Sequence, residues 1–104
     1  MSFVVRLSPT AEADLERLFD FLLDQAETAD DLERAQSAID TIRAVTERQL
    51  AITPYSFRKA DRNPTQRELI IPFAGTGYVA LYEIVSASQV VVLALRHQRE
   101  EDYH

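Results

Sequence analysis

The sequence predicts an α+β domain of order βααβββ, a helical hairpin packed on one face of a small, mainly antiparallel sheet. Three observations carry that expectation. Apolar residues recur at helical spacing through two consecutive stretches, Ala11 to Ala26 and Leu32 to Val45; one β-branched run precedes them and three apolar runs follow; and both glycines of the chain, Gly75 and Gly77, fall between two of the later runs. With 104 residues and 46% hydrophobic content, the chain has the size of one domain able to bury its own core. Residues 1–104 are therefore read as a single domain whose last part, 98–104, is a polar tail.

Phe3-Val4-Val5-Arg6-Leu7 is the first strand, and Ser8-Pro9 supplies an N-cap residue followed by proline at the first helical position. The helix that follows carries Ala11, Leu15, Leu18, Phe19, Leu22 and Ala26 on one stripe, with Glu12 and Asp14 near its positive end. Ala11 stands three past Ser8, so this start has no capping box. A second helix is expected from near Asp30, where Asp30 and Glu33 have capping-box spacing, with a stripe of Leu32, Ala35, Ile39, Ile42 and Val45 and an end at Thr53-Pro54. The short connection around Glu27 to Asp30 makes the two helices antiparallel neighbours.

Tyr55 to Gln66 contains Pro64 and little periodic apolar content, so it reads as an exposed loop carrying Arg58, Lys59 and Arg62. Arg67 to Phe73 is a strand in which Pro72 points to an edge or a strand end. Gly75-Thr76-Gly77 is a turn, Tyr78 to Val85 the next strand, and Ser86-Ala87-Ser88 a further turn. Gln89 to His97 closes the order, and its core from Val90 to Leu95 is apolar on both faces, which suits a central strand. Where the first strand joins the sheet does not follow from these patterns.

Composition excludes several functions. There is no cysteine, and only His97 and His104 offer imidazole, so no disulfide framework, metal centre or cofactor is expected. A formal charge of −6 argues against a general nucleic-acid binder, which needs clustered cations. The charge is unevenly spread. Pro9 to Thr53 holds eleven carboxylates against four arginines, whereas Pro54 to Arg99 holds six cations against three carboxylates. No apolar run approaches membrane-spanning length, and Met1 to Ser8 has no signal-peptide pattern, so the expected setting is cytoplasmic, with no membrane partner.

Four blocks resemble a known family. Val4-Val5-Arg6-Leu7-Ser8-Pro9 with Ala11 and Asp14-Leu15, then Arg67-Glu68-Leu69-Ile70, then Gly77-Tyr78-Val79-Ala80-Leu81-Tyr82-Glu83-Ile84, and finally Leu95-Arg96-His97-Gln98-Arg99-Glu100-Glu101-Asp102-Tyr103 are similar to successive segments of the ParE/RelE toxin superfamily. The resemblance implies a RelE/ParE-like fold and a growth-arresting toxin of a type II toxin–antitoxin pair, of the plasmid-stabilising kind. It also implies a cognate antitoxin, ParD-like or similar, bound in a hetero-oligomer. Members of the RelE kind cut messenger RNA on the ribosome with basic residues on the middle strands, whereas members of the ParE kind inhibit DNA gyrase. Here the positions around Ile70, Pro72 and Val79 are apolar. Phosphoryl transfer without cations loses its main charge stabilisation, so the expected branch is ParE-like, an inhibitor of gyrase rather than an enzyme.

The alternative is a ribosome-dependent endoribonuclease using His97, Arg99 and Tyr103, which stand as His-x-Arg-x-x-x-Tyr. A histidine moves protons near neutral pH, an arginine holds phosphate and a tyrosine stacks on a base. Candidate contacts to a target or antitoxin are Arg58, Lys59, Arg62, Arg67, Arg96, His97, Arg99 and Tyr103. Arg67 and Arg96 also have ordinary partners within reach in Glu68 and Glu83. Tyr78 and Tyr82 alternate onto one sheet face as helix-facing aromatics. The Gly75–Gly77 turn lacks the GK[ST] ending of a phosphate loop. An antitoxin is expected to cover an apolar groove between the hairpin and the sheet.

Overall fold

The architecture comes from a computed structural model, which describes residues 2–61, 63–100 and 102–103. Strand β1 (Val4–Leu7) leads into α1 (Pro9–Gln25) and α2 (Ala29–Ile52); a 3₁₀ turn (Pro54–Ser56) and the two-residue strand β2 (Arg58–Lys59) precede the meander β3 (Gln66–Phe73), β4 (Thr76–Ile84) and β5 (Gln89–His97). Both helices pack on one face of a five-stranded sheet of order β1-β5-β4-β3-β2. This is the expected α+β arrangement. The first strand lies parallel to β5, Val4 beside Gln89 and Leu7 beside Val92, while the other pairings are antiparallel. That placement makes β5 internal and accounts for its apolar residues on both faces.

Helix α1 starts where the sequence puts it, with the Ser8 hydroxyl accepting from the Ala11 N–H at 3.1 Å and proline in the first turn. Its apolar stripe, with Ala11, Leu15 and Leu18 buried, meets Ala38, Ile39 and Ile42 of α2 over Leu69, Ile71, Tyr78, Tyr82, Val90 and Leu95 of the sheet. Helix α2 begins earlier than the Asp30–Glu33 spacing suggests. Its capping box is Thr28 with Asp31: the Thr28 hydroxyl accepts from the Asp31 N–H, and the Asp31 carboxylate accepts from the Thr28 N–H. A threonine hydroxyl at N-cap satisfies an orphan N–H as a carboxylate does. Leu32 falls off the buried stripe and is half exposed, because the inner face of α2 runs through Ala35, Ala38, Ile39, Ile42, Thr46 and Leu50.

The exposed loop expected from Tyr55 to Gln66 is partly ordered structure instead. Pro54 is buried, its carbonyl accepts from the Tyr82 hydroxyl, and Arg58 and Lys59 pair with Glu68 and Arg67 as β2. A tyrosine in the core must find an acceptor for its hydroxyl, and the chain after α2 provides it. Burial pushes the Tyr82 hydroxyl up to about 12. The β3–β4 turn is also tighter than the Gly75-Thr76-Gly77 reading. Its two central residues are Ala74 and Gly75, both with positive φ (47° and 78°), as a two-residue primed turn requires. Gly77 is instead a strand residue whose missing side chain gives room to the Ile71 carbonyl and the Gln98 side chain, at 3.0 and 2.9 Å from where a Cβ would stand.

Beyond the end of β1, helix α1 covers the bare edge of β5. A bulge between the Leu81–Ala94 and Tyr82–Val92 pairs leaves Leu93 as the extra residue. The Ser8 hydroxyl donates to the Leu93 carbonyl at 2.9 Å, the Leu95 N–H donates to the buried Asp14 carboxylate at 2.8 Å, and Arg17 donates to the Leu95 carbonyl at 3.3 Å. The opposite edge is β3 beyond the reach of β2. Pro72 lies there and has no N–H to leave unpaired. No helix among the described residues is long and apolar enough to cross a membrane.

Candidate functional site: a cleft and a clamped tail

The sequence-predicted contact residues do not gather in one place. Alternation along β5 directs His97 to the helix-covered face and Arg96 to the bare one, and the tail after them divides in the same way.

On the helix side, a cleft of about 780 Å³ opens between the tip of the α1–α2 hairpin and the β3–β4 turn. Leu18, Leu22, Phe73 and Tyr78 supply its apolar lining, Phe21 stands at it 58% exposed, and Arg17, Arg34, His97 and Arg99 supply nitrogen donors. This is the groove expected between hairpin and sheet. Both ring nitrogens of His97 are engaged. Nδ1 accepts the Arg99 backbone N–H at 3.0 Å, so the neutral ring carries its proton on Nε2, which donates to the Thr76 hydroxyl at 2.8 Å. The ring also sits edge-on to Tyr78, with centroids 5.3 Å apart. Burial, with help from the Arg99 charge and against that of Glu100, holds His97 below the ordinary imidazole range. Such a ring is fixed in one tautomer and has no free lone pair with which to take a proton from a substrate.

On the bare face, Glu68 of β3 gathers three predicted residues. Arg58 lies 3.0 Å from its carboxylate and Arg96 3.8 Å, while the Tyr103 hydroxyl donates to it at 2.6 Å. The Arg96 guanidinium covers the Tyr103 ring at 5.1 Å and donates to the Glu100 carbonyl at 2.7 Å. Burial and the Glu68 carboxylate together drive the Tyr103 hydroxyl far above the ordinary phenol range. The segment after His97 is thus a strap. Glu100 ties it to Arg17 at 2.7 Å on the helix side, and Tyr103 ties it to Glu68 on the other.

His97 and Tyr103 therefore face opposite sides of the sheet, and the His-x-Arg-x-x-x-Tyr spacing does not assemble one pocket. Arg67 also departs from expectation. It pairs with neither Glu68 nor Glu83, and its guanidinium donates to the carbonyls of Phe57 and Tyr55 at 2.8 and 3.3 Å, which locks the segment before β2. Lys59 is exposed on β2, and Arg62 lies outside the described residues. Ile70, Pro72 and Val79 are apolar on the bare face, where Ile70 pairs with Val79, and Arg96, opposite Val79 on β5, is turned to Glu68, Tyr103 and the Glu100 carbonyl. No group of three or more metal-ligating side chains is found among the described residues.

Two carboxylates take a larger structural part than the sequence assigned them. Glu68 was expected as a partner of Arg96, as found, but that it also gathers Arg58 and Tyr103 shows only once the strand registers are known. Asp14 gave a signal, since an acid between Ala11 and Leu18 lies on the apolar stripe of α1, and a buried carboxylate requires a donor.

Comparison with known proteins agrees with this fold. The family model described as "ParE toxin of type II toxin-antitoxin system, parDE" matches residues 5–102. A curated relative, "Toxin RelE3" of Caulobacter vibrioides, is 36% identical over 96 residues, which cover 92% of this chain and 95% of the relative. A solved structure titled "Chromosomal ParDE TA system from P. aeruginosa" superposes with a TM-score of 0.71 over 91% of this chain and 95% of that chain; at 15% identity this likeness concerns the fold.

Proposed function

Because the chain belongs to the ParE toxin family of type II toxin–antitoxin systems, we propose that it arrests growth by inhibiting DNA gyrase in the cytoplasm. We propose further that an antitoxin filling the cleft at the hairpin tip holds it inactive. The observation that carries the gyrase reading is the state of His97 and Tyr103, two of the three residues a nuclease would need, together with the apolar middle strands. His97 has both nitrogens engaged, Tyr103 is spent on Glu68 across the sheet, and Ile70 and Val79 occupy strand positions where cations would neutralise a phosphorane-like transition state. With both nitrogens of His97 engaged, and with Arg58 and Arg96 turned to Glu68, the surface is suited to binding rather than cutting.

The antitoxin half of the reading is supported by the cleft itself. It combines an exposed phenylalanine and an apolar floor with arginines at the mouth, the composition that receives an amphipathic segment of a partner.

The test is a supercoiling assay with purified gyrase. The chain is expected to block supercoiling or to trap cleaved DNA, and the protein encoded beside it to restore activity on mixing. Full gyrase activity at saturating toxin, together with cleavage of ribosome-bound messenger, would replace this function with the ribonuclease alternative.

A further inference from the structure

The strap after β5 is turned and tied on its helix side through one titratable ring. The Glu100 N–H donates to the His97 carbonyl at 3.0 Å, and the Arg99 N–H donates to Nδ1 of the His97 ring at 3.0 Å. Glu100 completes the turn, accepting from the His97 N–H at 3.2 Å and from Arg17 at 2.7 Å. The bond to Nδ1 exists only while the ring is neutral. An imidazolium carries a proton on both nitrogens and accepts nothing, so the charged ring would set two N–H groups against each other at this turn. Rotating the ring gives no relief, because both of its nitrogens are then donors. The charged and titratable groups around the ring are few. Arg99 and Glu100 come from the strap, Arg17 from α1, Asp31 and Arg34 from α2 across the cleft, and the Tyr78 phenol from β4. Asp31 is held by the N–H groups of Glu27 and Thr28. Glu100 is therefore the carboxylate placed to accept from an imidazolium, and in turning to the ring it would give up Arg17, which ties the strap to α1.

We propose that His97 is an acid-operated release for the strap: the neutral ring keeps the turn at Arg99 and Glu100 closed, and the protonated ring opens it, freeing residues 98–100 from α1 while Tyr103 stays tied to Glu68. The closed form binds fewer protons at this ring than the open one, so acid favours opening. The window lies below about pH 6.5, since burial and the Arg99 charge disfavour the charged ring in the closed form. Release alters two surfaces at once. The strap places Arg99 at the cleft on one side of the sheet and Tyr103 under the Arg96 guanidinium on the other. The device is independent of the target the chain acts on, because it involves only contacts within the chain.

The test is NMR on the full chain from about pH 7.5 to about pH 5, following the His97 ring nitrogens and backbone ¹⁵N relaxation together. Order parameters of Gln98, Arg99 and Glu100 are expected to fall from about 0.85 to below about 0.6 with the midpoint of the ring titration, while those of Val90 to Leu95 stay high. His97→Asn offers a carboxamide oxygen to the Arg99 N–H and takes up no proton, so its strap is expected to stay ordered at the acid end. Glu100→Gln removes the carboxylate that favours the charged ring, and it is expected to move the ring midpoint and the strap midpoint to lower pH together. A strap equally ordered on both sides of the ring titration overturns the proposal. Loosening that persists in His97→Asn, or midpoints that separate in Glu100→Gln, would assign the release to another group and overturn it as well. If Val90 to Leu95 loosen in step with the strap, His97 governs the sheet as a whole and no separate release exists.

Discussion

The two faces of the sheet treat their charged side chains in opposite ways. On the bare face, one carboxylate, Glu68, gathers Arg58, Arg96 and Tyr103 into a closed cluster. On the helix face, Asp14, Asp31 and Glu100 are engaged with backbone N–H groups and with Arg17, while Arg34 and Arg99 at the cleft form no ion pair among the described residues, Arg34 acting on Asp31 only through its charge. The lesson is that a cation's position in the sequence says little about its availability. Six cations follow Pro54, and those on the bare face are largely consumed by the fold. Availability depends on what the register places opposite each of them.

This comparison is broken most severely at Asp14. The residue is 4% exposed and is the acceptor for the Leu95 N–H at the bulge. Asp14→Ala leaves that buried donor unsatisfied and is expected to cost about 2–3 kcal/mol, measured by urea unfolding, with faster amide exchange along the β5 edge. A cost no larger than that of an exposed helix position would mean that α1 does not hold this edge.

Glu68 comes next. Glu68→Ala leaves Arg96 and Tyr103 without their shared acceptor and is expected to cost about 1–2 kcal/mol, whereas Arg58→Ala, at a more exposed site, should cost about 0–1 kcal/mol. A double-mutant cycle between Glu68→Gln and Tyr103→Phe should show coupling. Strict additivity would mean that the strap does not depend on this contact.

A smaller change sharpens the description of the cleft's rim. Ala74 adopts a φ of 47° in the β3–β4 turn, so Ala74→Gly is expected to stabilise the chain by about 0.5–1 kcal/mol. A lower Tm for the variant would count against that strain.

The smallest effect is on pH dependence. The folded pKa of His97 lies below its unfolded value because burial and Arg99 disfavour the charged ring. The unfolded chain therefore binds more protons, so this group's contribution to stability is complete above about pH 6.5 and is lost as pH falls from there through the folded pKa. His97→Asn should flatten the dependence of Tm on pH below about 6.5. An unaltered slope would remove His97 as its source.

Much of the fold was legible because it rests on local chemistry. Ser8-Pro9 starts a helix wherever it stands, the stripe Ala11, Leu15, Leu18 needs a partner face, and a strand apolar on both sides must be internal. Pro72 announced an edge because a residue without an N–H cannot serve a ladder. Less of the site was legible. Thr28 outranked Asp30 as N-cap only once the helix phase was set, and Tyr55 to Gln66 resembled a loop because its order comes from distant groups, the Tyr82 hydroxyl and the Arg67 guanidinium.

The chain's own order of residues determined the two helices, the meander, the turn region and the unequal division of charge, since each follows from spacing and backbone preference within a few residues. Tertiary structure alone decided that β1 lies parallel to β5, that Glu68 rather than a substrate holds Arg96 and Tyr103, and that His97 faces away from Tyr103. These outcomes depend on which strand pairs with which and in what register. A shift of one residue turns every side chain of a strand to the other face, and nothing within a single strand records that choice.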